Sequence, residues 1–427
     1  MENKIYLCID LKSFFASVEA VEAGLDPMTD NLVVADPSRG DGAICLAITP
    51  AMKEIGVRNR CRLFEIPKNI SYVVALPRMK KYMEYSARVY SVYLRYVCKT
   101  DIHVYSIDEC FIDATQYLKL YGLTPRVFAK KLTDAVFDET GISATCGIGT
   151  NLFLAKVALD ITAKHAADRT GYLDHELFRK EIWHHKPITD VWNIGKGIAR
   201  RLEKYGIFDL AGVAACDEDL LYREFGVNAE YLIDHSHGEE PCTIEDIRNF
   251  KSKSSSISNG QILFSDYDYN AALVVMKEMV DLLALDLVEK GLVTNNVLLY
   301  IGYSDDAIKP TGGSEKLSGY TNSCKKLLEE FVKFYKKTTN REYLIRRINI
   351  GFNNVVSEDY VTYDLFTDEK QVKKEREISK TVIEIKRKFG KNSILKGLNY
   401  EPGATGRKRN KLIGGHNAGE EGPIGKS

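Results

Sequence analysis

Three carboxylates in two parts of the sequence are the residues best suited to chemistry. Two of them, Asp108 and Glu109, are adjacent in the stretch V-Y-S-I-D-E-C-F-I-D, between two apolar runs. A straight strand would send their side chains to opposite faces, so both reach one ion only where the chain turns, as at a hairpin tip. Two anionic groups held together also require a cation or a proton. On its own, such a pair is more often a solvated turn.

Asp10 adds a third carboxylate and favours a metal site. It follows the five residues I-Y-L-C-I, which have the composition of a buried strand. A carboxylate at the end of a central strand, together with a pair on a neighbouring hairpin, would form a three-carboxylate site. Hard oxygen ligands of this kind suit Mg²⁺.

Composition limits the class of protein. With 427 residues the chain has room for two to four domains, and 44% hydrophobic and 28% charged residues are usual for a globular protein. We expect no transmembrane helix, because no apolar run reaches about 18 residues. We also expect no signal peptide. Nine scattered cysteines without a C-x-x-C pair indicate free thiols in the cytoplasm and no zinc site.

The net charge is zero, but the charge is unevenly distributed. Residues 367–427 hold 15 of the 59 basic and 8 of the 59 acidic residues, so the tail is basic and the body acidic. Within the body, Lys325–Arg347 contains eight basic and three acidic residues. Such a stripe suits contact with phosphates, although a solvated helix face is equally compatible with it.

The order of predicted elements indicates how the carboxylates would be positioned. Residues 1–172 have a β-α-β-β-α-β order, interrupted at 14–79 by a small cationic module with a short helix from Pro50. This order predicts an antiparallel-rich sheet backed by two helices, the palm architecture that several nucleotidyl-transfer activities share. Gly147 and Gly149 form a G-x-G, which without a third glycine does not make a dinucleotide fingerprint.

Two further segments suit nucleic-acid binding. Ile194–Ile198 places Gly195, Lys196 and Gly197 in a tight turn between two predicted helices, a helix-hairpin-helix pattern whose backbone N–H groups can approach a phosphate. A Ser-rich linker near Lys251–Gly260 then precedes a second β-α-β-β-α-β module, which has no comparable acidic cluster and reads as a binding module. We expect an amphipathic helix over residues 370–389 and a flexible tail from Gly403.

Four motifs in this order resemble the Y-family translesion DNA polymerases, most closely the bacterial UmuC-like branch. They are D-L-K-S-F-F-A-S-V-E, Y-S-I-D-E-C, G-I-G-T-N-L-F-L-A-K and N-I-G-K-G-I. The likeness covers about residues 1–366 and implies an α+β, multidomain polymerase that copies past damaged bases. It implies the following domains: palm at 1–13 and 80–172, fingers at 14–79, a helical thumb at 173–240, a linker at 241–256, a β-α-β-β-α-β little finger at 257–360, and a clamp-binding peptide with a basic tail at 361–427.

The resemblance also implies roles for single residues. Asp10, Asp108 and Glu109, with the Leu11 carbonyl, would hold two Mg²⁺ ions at a site for primer-template DNA and a dNTP. Lys53 and Lys164 match positions that hold the triphosphate. Phe15 matches the steric gate against ribonucleotides. Phe14 is its neighbouring alternative and is expected to face the core.

Three positions depart from the family pattern. Lys12 stands where many relatives have a second carboxylate, at a position that is not usually a ligand. Pro50 and Lys53 stand where many relatives carry a tyrosine and an arginine. Lysine lacks the bidentate fork of arginine, so the triphosphate would be gripped differently.

The peptide T-Y-D-L-F resembles the sliding-clamp-binding peptide of bacterial polymerases. It comprises Thr362, Tyr363, Asp364, Leu365 and Phe366, where Thr362 replaces the usual Gln and Tyr363 the first Leu. A bacterial sliding clamp is therefore an expected partner, and an ordinary strand end is the alternative. Damage-response activator proteins are a further expected class of partner, and the sequence leaves open whether they are required.

Two other functions remain open at this point. A palm-fold nucleotidyl cyclase would need no thumb or helix-hairpin-helix, so Ile194–Ile198 weighs against it. A catalytically silent accessory protein that binds DNA and the clamp would not need Asp10, Asp108 and Glu109.

Overall fold

The computed structural model describes residues 4–40, 42–252, 255–362, 369–419 and 425–426. The chain divides into two compact units after Phe250, and the residues from Ala418 onward belong again to the first unit. Both helices and strands occur in each unit, as the predicted α+β class requires. None of the helices in the described ranges is long and apolar enough to cross a membrane.

The first unit contains a central palm sheet, a smaller sheet and a helical region. Its strands are β1 (Tyr6–Leu11), β2 (Leu32–Val34), β3 (Ala47–Ile48), β4 (Val73–Ala75), β5 (Ile102–Val104), β6 (Glu109–Asp113), β7 (Ala144–Gly149) and β8 (Thr170–Leu173). Its helices are α1 (Phe14–Glu22), α2 (Pro50–Glu54), α3 (Met79–Tyr93), α4 (Thr115–Tyr121), α5 (Pro125–Thr140), α6 (Leu152–Val157), α7 (His175–Leu177), α8 (Lys196–Glu203), α9 (Leu210–Ala214), α10 (Glu218–Phe225), α11 (Ala229–His237) and α12 (Ile244–Asn249).

The palm sheet has the strand order β5-β6-β1-β7-β8, and β1 is antiparallel to both of its neighbours. The strand β1 is apolar except for Asp10, because helices cover both faces of the sheet. Leu7, Ile9 and Leu11 pack into a core with α3 and α5. Tyr6 and Cys8 face the other side, where α6 packs. Because side chains alternate along a strand, Asp10 follows Tyr6 and Cys8 onto the α6 side.

The insertion between α1 and α3 forms a small sheet of its own. Strand β2 lies between β3 and β4, with α2 and Val57 completing a separate core. The strand β3 comprises only the last two residues of the stretch from Ala43 to Ile48. At the outer edge, β16 (Gly425–Lys426) pairs with β4.

The second unit is the predicted β-α-β-β-α-β module. Its elements are β9 (Ile257–Tyr267), α13 (Tyr269–Glu289), β10 (Leu292–Tyr303), β11 (Thr311–Thr321), α14 (Cys324–Thr338), β12 (Ile345–Asn353), β13 (Val356–Ser357), α15 (Glu369–Phe389), α16 (Gly406–Arg409), β14 (Leu412–Ile413) and β15 (His416–Asn417). The sheet order is β11-β10-β12-β9, and α13 and α14 pack against one face of it.

Two expectations about the second unit need correction. The tail from Gly403 was expected to be flexible, but it contains α16 and the β14-β15 hairpin up to Asn417. The basic segment Lys325–Arg347 does not form one stripe, because α14 lies behind the sheet whereas Arg346 and Arg347 are on β12.

Candidate active site

The register of β1 and β6 brings two of the three carboxylates together. Asp10 pairs with Glu109 across the antiparallel ladder, so both side chains leave the sheet on the same face. Asp108 lies in the turn before β6, and its backbone carbonyl accepts a hydrogen bond from Leu11 N at 3.0 Å. Its carboxylate accepts a hydrogen bond from Ser106 Oγ at 2.6 Å. The turn predicted from the adjacent acidic residues is therefore present at the end of the β5-β6 hairpin.

Asp10 is the carboxylate most affected by this arrangement. Burial raises its pKa to about 7, and the negative charges of Asp108 and Glu109 add to the effect. The positive charges of Lys164 and Lys156 oppose it without cancelling it. A group in this state favours a proton or a cation.

Glu109 already has a cation beside it. Lys156 Nζ lies 2.7 Å from Glu109 Oε1 and 3.1 Å from Asp160 Oδ2, and both Lys156 and Glu109 are nearly buried. The thiol of Cys8 also donates to Glu109 Oε1 at 3.1 Å. Burial and the Glu109 charge raise the pKa of that thiol well above its ordinary value, so it remains protonated.

The contact between Lys156 and Glu109 was not predicted in the sequence analysis. A signal was available, since Lys156 is the single charged residue in the apolar helix L-F-L-A-K-V. A lysine in such a position needs a buried counter-charge. Asp160, whose carboxylate contacts both Lys156 and Lys164, was also not identified in the sequence analysis.

Lys53 and Lys164, the residues expected to hold the triphosphate, lie within electrostatic reach of Asp10. Burial lowers the pKa of Lys53, while the Asp10 carboxylate raises it and Lys164 and Lys12 lower it further. Lys164 Nζ contacts Asp160 Oδ1 at 2.7 Å. Lys164 does not lie on α6, because this helix passes into a π turn at Ala158–Thr162 and then into a 3₁₀ turn that carries Lys164.

The oxygen donors are of the type that binds Mg²⁺, although the described carboxylates do not converge on a single point. Carboxylate and carbonyl oxygens from Asp10, Asp108, Glu109 and Leu11 are the hard ligands that this ion prefers. Within the described residues, no three His, Cys, Asp or Glu side chains converge at distances that would hold a metal. Glu109 instead faces the Lys156 ammonium, so it would exchange or share this contact when an ion binds.

The two phenylalanines at the start of α1 have different environments. Phe14 is 2% exposed and packs in the palm core, as expected. Phe15 is partly exposed, and its ring stacks on Tyr82 with centroids 4.5 Å apart. The Tyr82 hydroxyl donates to Glu19 at 2.8 Å, and Arg78 holds the same carboxylate with two nitrogens. The Phe15 ring is therefore partly exposed and held in a fixed position by its contact with Tyr82.

The glycines of the two G-x-G patterns have opposite surroundings. A Cβ at Gly147 would lie 2.1 Å from the carbonyl oxygen of Ala155, and one at Gly149 would lie 2.2 Å from Ala155 N. These glycines permit close packing of α6 on β7. Gly195 and Gly197 are exposed, and a Cβ at either would meet no described atom within 4 Å. Close packing within the chain therefore does not explain why glycine stands at positions 195 and 197.

The predicted helix-hairpin-helix begins with less helix than expected. Before the turn there is a single 3₁₀ turn, Ile188–Asp190, and after it α8 starts with Gly195 as its N-cap residue. The backbone N–H groups of Lys196 and Gly197 thus lie at the exposed start of a helix.

The expected clamp-binding peptide lies mostly outside the described residues. Thr362 is described: its N–H donates to Tyr320 O at 3.0 Å, and its Oγ1 accepts from Tyr320 N at 2.7 Å. Tyr363, Asp364, Leu365 and Phe366 are outside the described ranges. The helix α15 follows from Glu369, so the peptide connects two ordered elements.

Replacing Asp10 with asparagine is expected to stabilise the protein at pH 8 in the absence of divalent ions. The carboxyl ionises near pH 3.8 when unfolded and near pH 7 when folded, so between these values the folded chain binds more protons. Stability therefore falls as pH rises through this window, by at most about 4 kcal/mol at about 1.4 kcal/mol per pKa unit. Asparagine avoids this loss.

Urea unfolding of both proteins at pH 5 and pH 8 measures this difference. The advantage of the variant should grow with pH, and added Mg²⁺ should stabilise the natural protein more than the variant. A difference that is independent of pH would contradict the assignment of the raised pKa to Asp10.

Comparison with known proteins gives consistent family matches. The impB/mucB/samB family matches residues 9–160, and the impB/mucB/samB family C-terminal domain matches residues 254–365. The chain is 30% identical to a putative UV-damage repair protein UvrX of Bacillus subtilis, over 97% of this chain and 98% of that one. It is 29% identical to DNA polymerase IV 2 of Bacillus subtilis, over 97% and 99% of the two chains.

A solved structure supports the fold independently. A chimeric Y-family DNA polymerase aligns with a TM-score of 0.62 at 20% sequence identity, covering 83% of this chain and 99% of that chain. At this identity the likeness concerns the fold alone.

Proposed function

We infer that this chain extends a DNA primer by template-directed synthesis past damaged bases, because it belongs to the impB/mucB/samB family of Y-family DNA polymerases. The matches to the family models and to UvrX confirm the resemblance that the four motifs indicated. The observation that carries the catalytic proposal is the pairing of Asp10 with Glu109, with Asp108 in the adjacent turn.

We propose that Asp10, Asp108 and Glu109, with the Leu11 carbonyl, hold two Mg²⁺ ions. The ions, when bound, activate the primer 3′-hydroxyl and neutralise charge on the leaving pyrophosphate. Lys53 and Lys164 bind the phosphates of the incoming dNTP, since both ammonium groups lie in the field of Asp10. Lys156 keeps Glu109 oriented and offsets part of the negative charge of the site.

Primer extension on an undamaged template with Mg²⁺ and dNTPs tests this function. A polymerase adds nucleotides directed by the template. A catalytically silent accessory protein would bind the DNA without extending it, and a nucleotidyl cyclase would convert free nucleotide without a primer. Either of these two outcomes would overturn the proposal.

We propose that the start of α8 binds the DNA backbone through Gly195, Lys196 and Gly197. The space above both glycines and the exposed N–H groups support this assignment. Contacts of this kind hold phosphates and do not read sequence. On the second unit, Arg346 and Arg347 are each paired with an aspartate, Asp266 and Asp306, so these pairs would have to open for a phosphate contact.

The variant Gly197→Ala is expected to fold normally and to bind primer-template DNA about tenfold more weakly. The added methyl group meets no described atom and suits a helix, whereas it would keep a phosphate from the backbone. Affinity measured by fluorescence anisotropy between 50 and 200 mM salt should also fall steeply, as counterion release requires.

Gly397→Ala is the matched control, because Gly397 is also exposed with open space at its Cβ position. It should bind DNA as the natural protein does. An unchanged affinity for Gly197→Ala, or a flat salt response, would contradict the assignment of the helix-hairpin-helix turn to the DNA interface.

We propose that Thr362–Phe366 binds the bacterial sliding clamp. Replacing Leu365 and Phe366 together with alanine should remove clamp stimulation and leave synthesis without the clamp unchanged, because two adjacent apolar residues suit a pocket on a partner. Primer extension with and without clamp, and direct binding to the clamp, are the measurements. Glu377→Ala, on the exposed side of α15, is the control. If the double variant binds the clamp with undiminished affinity, the binding motif lies elsewhere, for instance in α15.

A further inference from the structure

The second unit contains an addition that lies beyond the matched family domain. The family C-terminal domain ends at residue 365, whereas α15 and residues 390–417 continue the unit and pack back onto α13. We call residues 390–417 the returning segment. From Gly403 onward this segment was expected to be flexible, so its ordered structure indicates that a specific interaction holds it in place.

A buried carboxylate on α13 provides this interaction. Glu278 is 2% exposed, and its oxygens accept hydrogen bonds from Asn399 Nδ2 at 2.6 Å, Thr405 N at 2.7 Å and Gly406 N at 3.0 Å. All three donors belong to the returning segment. A buried carboxylate without partners is strongly unfavourable, so docking of the segment is part of the native fold.

The docked segment encloses one side of a cavity. The cavity has a volume of about 620 Å³ and lies between α13, the start of α14, α15 and the returning segment. This volume is within the range of small-molecule sites. Its apolar walls are formed by Leu282, Leu285, Ile378, Val382, Ile394 and Leu395. Ile378 remains 55% exposed and borders this space, although α15 packs on α13.

The polar end of the cavity carries an excess of positive charge. Its lining includes four lysines and two acids: Lys325, Lys374, Lys386, Lys396, Asp281 and Glu375. Lys396 and the Cys324 thiol both contact Asp281. Glu375 is also engaged, because it accepts from Ser323 Oγ and from the backbone N–H of Lys325.

Lys386 is a partly buried cation in this lining. Its ammonium donates to the backbone carbonyl of Lys391 at 3.2 Å. Burial lowers its pKa, Asp281 raises it, and the charges of Lys396 and Lys391 lower it further. Because Asp281 already contacts Lys396, an anionic group near Lys386 would be favourable.

We propose that this cavity binds a small amphipathic carboxylate, a molecule with one anionic head and an unbranched apolar chain. The head lies at Lys386 and the chain lies against Ile378 and Val382. Since the returning segment forms one wall, the bound molecule also stabilises the docking of this segment. The proposal does not depend on the polymerase activity of the first unit.

Titration of the full chain with decanoate, below its micelle concentration, tests the site. Isothermal calorimetry should show one saturable site, and decanoate should protect the returning segment from trypsin. Decanol, which lacks the charge, should bind at least tenfold more weakly. Lys386→Gln should weaken decanoate binding at least tenfold, while Lys380→Gln, at an exposed position of α15, should not change it.

Val382→Phe fills the cavity and should abolish binding, with circular dichroism as the check on folding. If that variant does not fold, the comparison of Lys386→Gln with Lys380→Gln still decides. The absence of saturable binding, or equal binding by Lys386→Gln and the natural protein, would overturn the proposal.

Discussion

Replacing Asp108 with alanine is expected to abolish primer extension, with a fall in kcat of at least about a thousandfold. The side chain lies in a turn beside the Asp10–Glu109 pair, and its described hydrogen bond is the one from Ser106. Removing one carboxylate would leave the proposed metal site short of a ligand and of negative charge. Loss of several kcal/mol of transition-state stabilisation corresponds to at least this factor, at about 1.4 kcal/mol for each tenfold change.

The stability and DNA affinity of Asp108→Ala should remain close to those of the natural protein. The turn is partly exposed, and the variant removes no core contact. Ser106→Ala is the matched control, because it removes the same hydrogen bond while it keeps the carboxylate. Single-turnover extension should be retained in Ser106→Ala and lost in Asp108→Ala. Near-normal turnover in Asp108→Ala would sink the metal-site assignment.

The sequence predicted the carboxylate arrangement because it follows from local pattern. An apolar strand that ends in Asp10 and an acidic turn before a second strand predict that the three carboxylates lie near neighbouring strand ends, whereas the register that pairs Asp10 with Glu109 comes from the structure. The β-α-β-β-α-β order of each unit was predicted for the same reason, since alternation and helical spacing are local properties.

Contacts between distant residues could not be predicted in this way. Glu278 has the position of a polar residue on an amphipathic helix. Nothing in the neighbouring sequence indicates that its carboxylate will be buried beneath Thr405. The Lys156–Glu109 pair likewise joins residues 47 positions apart, which periodicity does not relate. The π turn at Ala158–Thr162 also changes the direction of Lys164 without a Gly or Pro to signal it. Tertiary packing decides all three.

The variant Phe15→Ala is expected to admit ribonucleotides, raising the ratio of rNTP to dNTP incorporation efficiency by two or more orders of magnitude. Phe15 lies five residues after Asp10 at the start of α1, so its ring can lie against the sugar of a nucleotide whose phosphates reach the metal site. Its stacking on Tyr82, which Glu19 holds in turn, prevents the ring from moving aside. A 2′-hydroxyl facing this ring loses its hydrogen bonds to water, which costs roughly 1–3 kcal/mol, and the steric clash adds to this cost.

Phe14→Ala separates this role from a general effect on the fold. Phe14 is buried in the palm core, so its truncation should lower the free energy of unfolding by about 3–5 kcal/mol while the rNTP to dNTP ratio of the folded protein stays low. Phe15→Ala should lose less stability, since it gives up mainly a stacking contact worth about 0.5–1.5 kcal/mol. Steady-state kcat/KM values for matched rNTP and dNTP pairs provide the comparison. If Phe15→Ala keeps the natural ratio, the sugar lies elsewhere relative to Asp10, and the position assigned to the incoming nucleotide changes with it.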